Sequence, residues 1–270
     1  MREVRKMKPD TYITTSWDDG HRLDFRVAEL LTKYGIGGTF YVPRSAEHGV
    51  MSAAELRELS GAFEAGAHTL HHTVLTASTD GRAWAEIVDS KAWIEDNTGK
   101  PCLMFCPPEG KFSAEHLRLV RRAGYLGLRS VELASLDLPR ARQGIMVMPT
   151  TVQSHPHGRL AYARNTLKRM ALGNLWRFVA HGKSAAWTAL ADAFLREARD
   201  HGGVFHLWGH SWELEETSQW RRLDEVLRFM SGLRGEIPSL TNGQVCLRSL
   251  SPTAHPAAML EKETVIARVP

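Results

Sequence analysis

Two adjacent carboxylates, Asp18 and Asp19, follow the first apolar run of the chain and precede Gly20. Neighbouring acids in different surroundings can divide two tasks, so that one binds a metal ion while the other acts as a general base. An Asp-Gly pair also favours a turn, whatever the function of the protein. Taken alone, the pair is therefore compatible with a catalytic site or with a simple turn.

A second candidate lies about 50 residues further on, where His68 and His72 are four residues apart. On a helical turn, two such side chains lie on one face, with Cβ atoms about 5–6 Å apart. That spacing suits zinc, for which histidine nitrogen is a common ligand. Two capping or surface histidines would give the same pattern, and His71 lies off the shared face.

Histidines recur in a late apolar segment, residues 204–210. Strand alternation would place His206, Trp208 and His210 on one face. His210, at the end of the segment, is the better catalytic candidate. His206 fits a core histidine whose hydrogen bonds are satisfied within the protein.

The elements that must position these residues alternate between strands and helices. Capping signals support the helices, because Ser52 and Glu55 form a capping box and Gly35 follows a helical pattern. The alternation predicts an α/β fold with a parallel sheet and outer helices, and the chain is long enough to close a barrel. Chemistry in such folds gathers where the strands end. Strands are predicted at 12–17, 38–42, 103–106 and 204–208, and helices at 24–34, 79–98 and 113–122.

The composition limits the classes of protein that the chain can be. Hydrophobic residues make up 43% and charged residues 24% of the 270 positions, which excludes a disordered, collagen-like or coiled-coil protein. The net charge is +4, and no nucleic-acid recognition motif is present. No apolar run reaches the roughly 18 residues of a membrane span. Three cysteines and a basic N-terminus without an apolar signal core predict a cytoplasmic protein.

One stretch, residues 153–183, interrupts the alternation with a cluster of basic residues. It is either a solvated helical insertion or a patch for a phosphate or another anionic part of a substrate. We expect one domain over residues 11–250 that contains this insertion, followed by a C-terminal tail at 251–270. Residues 264–269 of the tail could add an edge strand. The basic residues and histidines of the stretch are His155, His157, Arg159, Arg164, Lys168, Arg169, Arg177, His181 and Lys183.

Four segments, SWDDG, GAHTLHH, FCPPEG and HLWGHSWE, follow one another in an order that resembles the successive motifs of the polysaccharide deacetylases. These are the NodB-homology proteins, also called carbohydrate esterase family four, and the resemblance runs from residue 12 to residue 213. It implies a distorted barrel of about seven parallel strands with outer helices. It also implies a divalent metal, most often zinc with cobalt or nickel as other options, and hydrolysis of an N-acetyl, O-acetyl or N-formyl group on a sugar.

Carried over by position, the resemblance assigns roles to the candidate residues. The metal would lie in an Asp-His-His site that leaves a position open for water and the amide carbonyl. One carboxylate would take a proton from the attacking water, and the late histidine would protonate the departing amine. The implied metal ligands are Asp19, His68 and His72, the base is Asp18, the acid is His210, and the substrate contacts are Trp208, Pro108 and Glu109.

Two motifs depart from the family pattern. The third motif usually has an arginine that pairs with the base aspartate, and Cys106 stands there instead. A neutral thiol cannot supply that charge, so we expect another cation, Arg129 or Lys111, to do so. The fourth, Asp-rich motif is not recognisable, and Asp137 is the nearest candidate.

These inferences favour a metal-dependent sugar N-deacetylase, or a deformylase, acting on a precursor of a surface glycan such as a lipopolysaccharide or O-antigen intermediate. A nucleotide- or lipid-linked sugar would suit the basic stretch, and Trp208 and Trp212 could stack on its ring. One alternative is an allantoinase-like hydrolase of small cyclic amides, which would not need that stretch. Another is a degenerate glycan-binding domain, although such a module has no need for all five of the metal-binding and acid–base residues.

Overall fold

The computed structural model describes residues 10–157, 172–181 and 186–250. These residues form one nine-stranded sheet with helices packed around it, which confirms the predicted α/β class. The strands are β1 (Thr11–Asp18), β2 (Gly38–Val42), β3 (Glu64–Ala67), β4 (Met104–Phe105), β5 (Gly127–Arg129), β6 (Arg140–Arg142), β7 (Ile145–Met148), β8 (Val152–Gln153) and β9 (Gly203–His210).

The strand order is β6-β7-β5-β4-β3-β2-β1-β9-β8. Every pair is parallel except β6 with β7, which is antiparallel. Within the described residues no pairing joins β6 to β8, so the sheet curls into a half-barrel and does not close. The strand count exceeds the roughly seven that the resemblance implies, because the short strands β6 and β8 extend the sheet at its two edges.

The helices agree with the sequence prediction to within one residue at each end for the three predicted ranges. Ser52 and Glu55 form the predicted capping box at the start of the second helix. Gly35 ends the first helix in the left-handed conformation, with a φ of 62°. The described helices are α1 (Asp24–Tyr34), α2 (Ala53–Ser60), α3 (Asp80–Thr98), α4 (Ala114–Arg122), α5 (Leu172–His181), α6 (Trp187–His201), α7 (Ser211–Glu216), α8 (Trp220–Gly232) and α9 (Asn242–Leu250).

Helix α9 packs against the amino end of the half-barrel. A buried cluster that includes Tyr41 and Met104 fills the space beside it. The Asn242 side chain accepts a hydrogen bond from Thr14 Oγ1 and donates one to Tyr41 Oη, each at 2.9 Å. The backbone of α9 also donates to Glu64, the first residue of β3, at 3.0 Å. The amino end is therefore packed with side chains, and the candidate functional residues lie at the opposite end.

The carboxyl ends of the strands bring five polar residues to the same edge of the sheet. The last residue of β1, Asp18, pairs in register with His210, the last residue of β9. His68 and Cys106 follow β3 and β4 directly, and Arg129 ends β5. Because parallel strands end at one edge, residues 50 or more positions apart in the sequence meet there.

Candidate active site

The chain turns sharply after β1, and this turn carries Asp19. Asp19 and Gly20 both have positive φ angles, of 76° and 61°. A Cβ on Gly20 would lie 2.5 Å from Cγ1 of Val42, so only glycine fits at that position. A positive φ is costly for a residue with a side chain and persists at Asp19 because the surrounding structure holds it. The Asp-Gly pair is therefore a turn and, at the same time, part of the candidate site.

His68 and His72 approach Asp19 from an irregular loop, so the predicted helical turn was wrong. The strand before them ends at Ala67, and both Thr69 and His72 have positive φ angles, of 57° and 54°. A spacing of four suits a helix, but a loop with left-handed residues brings the same two side chains together. The Nε2 atoms of His68 and His72 lie 3.4 Å and 3.1 Å from Asp19 Oδ1.

The arrangement of these three side chains fits a metal ion. Ligand atoms bound about 2.1 Å from a tetrahedral ion lie about 3.4 Å apart, which is close to the spacings observed between Asp19 and the two imidazoles. Asp19 Oδ1 is buried and has no hydrogen-bond partner among the described residues, an arrangement that is costly unless a ligand compensates it. Burial opposes its ionisation, yet the neighbouring imidazoles hold the pKa of Asp19 far below its ordinary value.

A backbone carbonyl orients His68. Its Nδ1 atom lies 2.7 Å from the carbonyl oxygen of Cys106. Since a carbonyl oxygen only accepts hydrogen bonds, Nδ1 carries the proton and Nε2 is left free to bind a cation. A histidine whose second nitrogen is fixed in this way is typical of metal sites.

Glu86 on α3 holds the loop between the two histidines. Its Oε2 accepts the backbone N–H groups of Leu70 and His71, each at 2.9 Å. Its Oε1 accepts a hydrogen bond from Thr73 Oγ1 at 2.9 Å and lies 3.0 Å from His71 Nδ1. His71 thus lies outside the metal-type cluster, as expected, and contacts Glu86.

Asp18 forms a buried ion pair with Arg129. The Arg129 Nη2 atom contacts both carboxylate oxygens, and the arginine side chain is completely buried. Burial would raise the pKa of Asp18, but the guanidinium holds it below its ordinary value. Of the two cations suggested by the sequence, Arg129 therefore meets Asp18. The other, Lys111, pairs with the exposed Glu109.

His210 lies between the two aspartates and a carboxylate that the sequence reading did not single out. Its Nε2 is 4.0 Å from Asp18 Oδ2 and 3.9 Å from Asp19 Oδ2. Its Nδ1 is 2.7 Å from Glu213 Oε2 on α7. Burial lowers the pKa of His210, but the hydrogen bond to Glu213 and the nearby aspartates outweigh this and raise it to about 9. The carboxylates around His210 therefore favour its protonated form.

Glu213 is the carboxylate beside His210, whereas Asp137, the nearest sequence candidate for the Asp-rich fourth motif, does not make that contact. Asp137 forms a surface pair with Arg140 instead, so that suggestion was wrong. Asp137 lies in an irregular connection between strands, where sequence spacing says little about what it contacts. An acid three residues after a candidate histidine, on one helical turn, is the signal that would have found Glu213.

His206 is a core histidine, as predicted. It is completely buried, its Nε2 lies 2.9 Å from Ser16 Oγ, and its Nδ1 lies 3.0 Å from the carbonyl oxygen of Pro149. Burial and the Arg129 charge lower its pKa to about 3. It is therefore neutral at any ordinary pH.

The three predicted substrate contacts differ in accessibility. Trp208 is only 6% exposed, and its ring lies 4.8 Å from the Arg129 guanidinium, so it offers little surface to a sugar. Pro108 is buried, whereas Glu109 is exposed and has a φ of 56°. Trp212 is closer to the centre of the site, because its Nε1 donates to Asp19 Oδ2 at 2.9 Å.

Part of the basic stretch reaches the site. His155 Nδ1 is 3.8 Å from Glu213 Oε1, and the Gln153 side chain donates to Glu213 Oε2 at 3.0 Å. His157 Nε2 lies 2.7 Å from Gln153 Oε1. Arg177 pairs with Glu197 on α6. The predicted basic residues at 159, 164, 168, 169 and 183, and the tail at 251–270, lie outside the described residues, as does the side chain at 181.

The fold and this cluster of acids and histidines define a class, the curled α/β half-barrels with a carboxylate–histidine centre at the ends of their strands. Residues 5–128 match the family model of the polysaccharide deacetylases. This match confirms the resemblance of the motifs over that part of the chain. The match covers somewhat less than half of the chain. No curated protein matches the sequence.

Solved structures support the same fold over nearly the whole chain. A Mycobacterium smegmatis protein assigned to the polysaccharide deacetylases is 13% identical, with a TM-score of 0.66 over 93% of this chain and 94% of that one. A family 4 acetyl xylan esterase of Clostridium thermocellum, in complex with a cobalt ion, is 16% identical, with a TM-score of 0.54 over 90% and 93%. The Bacillus subtilis peptidoglycan deacetylase PdaC is 16% identical, with a TM-score of 0.53 over 94% and 97%. None of the described helices is both long and apolar enough to span a membrane.

Proposed function

We propose that this protein is a metal-dependent hydrolase that removes an N-acetyl or N-formyl group from a sugar. The observation that carries the proposal is the convergence of Asp19, His68 and His72, whose ligand atoms lie within 4.8 Å of one another. The buried Asp19 Oδ1 at the centre of that group has no hydrogen-bond partner in the described part of the chain, which supports a cation there. The match to the polysaccharide deacetylase model supports the reaction type, and the residues beside the cluster would supply acid and base.

Asp19, His68 and His72 would hold the metal ion. When bound, a divalent ion would polarise the scissile carbonyl and lower the pKa of the water that attacks it. Two imidazoles and one carboxylate suit zinc, and cobalt or nickel accept the same ligands. The Clostridium thermocellum esterase, which shares the fold, contains cobalt.

Asp18 and His210 would divide the proton transfers. Asp18 stays ionised beside Arg129 and accepts the proton of the attacking water. His210, protonated at neutral pH, donates to the nitrogen of the departing sugar amine. Glu213 keeps the imidazole oriented through Nδ1, which leaves Nε2 facing the two aspartates. Each acid or base of this kind contributes roughly 10²–10⁴ to the rate.

We infer that the substrate is a precursor of a surface glycan, such as a nucleotide- or lipid-linked sugar of lipopolysaccharide or O-antigen synthesis, in the cytoplasm. His155 and His157 border the catalytic acid through Glu213 and Gln153, so the basic stretch begins beside the reaction centre. The sequence continues from there into a run of basic residues, which would suit an anionic group on the substrate. All three cysteines are unpaired, which is consistent with a reducing compartment.

Two other functions are less well supported. An allantoinase-like hydrolase of cyclic amides would use the same metal and acid–base residues but has no use for the basic stretch. A glycan-binding domain without activity would not need Asp18 paired with a buried arginine or His210 paired with a partly buried carboxylate. Buried charges are costly to maintain, so their retention favours catalysis.

The decisive experiment measures metal content by elemental analysis of wild-type protein, His72→Ala and a control, His201→Ala. His201 is an exposed histidine at the end of α6, so its loss should not affect the site. We expect about one divalent ion per chain in the wild type and the control, and almost none in His72→Ala. Acetylated and formylated nucleotide-sugars are then screened for release of acetate or formate. Absence of metal from the wild type after incubation with zinc, cobalt and nickel would overturn the mechanism.

A further inference from the structure

The base Asp18 is contacted by side chains from two neighbouring strands. Arg129, at the end of β5, meets both of its oxygens, and the Sγ atom of Cys106, just after β4, lies 3.9 Å from Oδ2. The parallel register pairs Phe105 with Leu128. Cys106 and Arg129 are therefore the next pair along the same two strands, at the same height in the sheet.

We propose that Arg129 positions Asp18 from β5, in place of an arginine at position 106 on the neighbouring strand. The small side chain of Cys106 leaves space for the Arg129 guanidinium to reach Asp18. The inference rests on the proposed function, because it assigns Asp18 the task of the base. It goes further in stating that positions 106 and 129 form a compensating pair.

Burial supports a dedicated role for Arg129. Its side chain is completely buried, and a buried guanidinium is tolerated only when it is paired. Its Nε and Nη1 atoms have no hydrogen-bond partner among the described residues, so its polar contacts there are those to Asp18. Tyr41 and Trp208 flank the guanidinium, with ring centres 5.2 Å and 4.8 Å from Cζ. Cation–π contacts of this kind fix its direction.

Packing supports the reciprocal role of Cys106. Its side chain is 1% exposed and belongs to the same buried cluster as Tyr41 and Met104. An arginine at position 106 would need the space and the carboxylate that Arg129 already uses. Two guanidinium groups facing one buried carboxylate would also leave one charge unpaired. Only one of the two positions can therefore carry the arginine.

The experiment is a double-mutant cycle with Arg129→Cys, Cys106→Arg and the exchange variant that carries both substitutions. Thermal unfolding and metal content are measured for each, together with hydrolysis of 4-nitrophenyl acetate. The leaving phenolate of this ester needs no proton from His210, so the assay reports on the base. Lys111→Met is the control, because Lys111 is the other cation that the sequence suggests and pairs with exposed Glu109 instead of Asp18.

We expect Arg129→Cys to lower the rate at least 100-fold and the unfolding midpoint by about 10 °C, because it leaves a buried carboxylate unpaired. Cys106→Arg should also unfold at lower temperature. The exchange variant should exceed both single variants at least tenfold in rate and unfold at a higher temperature than either. An exchange variant no better than the poorer single variant would overturn the proposal, as would a wild-type rate in Arg129→Cys.

Two further measurements keep the outcome decisive. If the exchange variant does not fold, Asp18→Asn combined with Arg129→Met should unfold at a higher temperature than Arg129→Met alone, because it removes both charges; equal midpoints would contradict the pairing. Cys106→Ser should keep its metal, and metal loss would make the thiol a ligand and overturn its role as a spacer. If the wild type hydrolyses no ester or amide, the proposed function fails, whereas the unfolding cycle still decides whether the two positions compensate.

Discussion

The conformation of the loop that carries His68 and His72 should depend mainly on its hydrogen bonds to Glu86. We expect Glu86→Gln to keep the fold but weaken the site. The carboxylate accepts two backbone N–H groups and one hydroxyl, and it contacts one imidazole. A glutamine has a single acceptor oxygen, so it can serve only one side of this set. Hydrogen bonds to a charged group contribute about 1.5–3 kcal/mol each, so we expect a loss of about 2–4 kcal/mol in the free energy of unfolding.

The effect on the metal should exceed the effect on stability. Outer partners of metal ligands change the metal affinity by about 10–100-fold when they are removed, and Glu86 acts on the backbone beside both ligands. Competition with a chelating dye measures the zinc affinity, and urea unfolding measures the stability of the apo protein. Asp89→Asn is the matched control, because it removes one acid from the exposed side of the same helix. A folded Glu86→Gln protein with wild-type zinc affinity would refute the argument.

Three further predictions follow from groups around this centre. Glu213→Gln removes the carboxylate that raises the pKa of His210, so the basic limb of the kcat/KM profile should move down by about one pH unit; an unmoved limb would exclude His210 as its source. The pKa of His206 is about 3 in the folded protein and about 6.5 in the unfolded chain. Its contribution to the free energy of unfolding is therefore complete above pH 6.5 and is lost as the pH falls. Between pH 7 and pH 4.5, the free energy of unfolding should therefore decrease by about 3 kcal/mol less in His206→Gln than in the wild type. Denaturant unfolding at the two pH values measures this difference. Gly20→Ala should destabilise by about 2–4 kcal/mol through its positive φ and its clash with a neighbouring strand, whereas Gly81→Ala, which meets nothing within 4 Å, should not.

Helix caps and turns that depend only on neighbouring residues could be predicted from the sequence. The capping box at Ser52, the glycine at position 35 and the Asp-Gly turn after β1 all depend on neighbours within four residues. The end of β9 was readable because alternation leads to His210. Such features place the helices and the ends of long strands, and therefore most of the predicted site residues.

Structural features that depend on distant parts of the chain could not be predicted from the sequence. Glu86 lies on an amphipathic helix, where an acid normally indicates a solvated face, yet its side chain is buried against the loop after β3. The positive φ angles at Thr69 and His72 leave no mark in the sequence, because neither residue is a glycine. The short strands β6 and β8 owe their conformation to pairing with β7 and β9.

The two halves of the candidate mechanism place different demands on the chain. Metal ligands must meet within a few tenths of an ångström, so Asp19 and the two histidines need fixed positions and backbone conformations, which the turn at Gly20 and the contacts of Glu86 with the loop supply. A charge that stabilises a carboxylate needs only to arrive at hydrogen-bond distance in a buried place, and the side chain of an arginine is long enough to arrive from another strand. For this reason, Cys106 can stand where the third motif usually has an arginine while Asp18 still contacts a guanidinium, that of Arg129. A missing motif residue is therefore weak grounds for inferring lost activity when a neighbouring strand ends in an arginine.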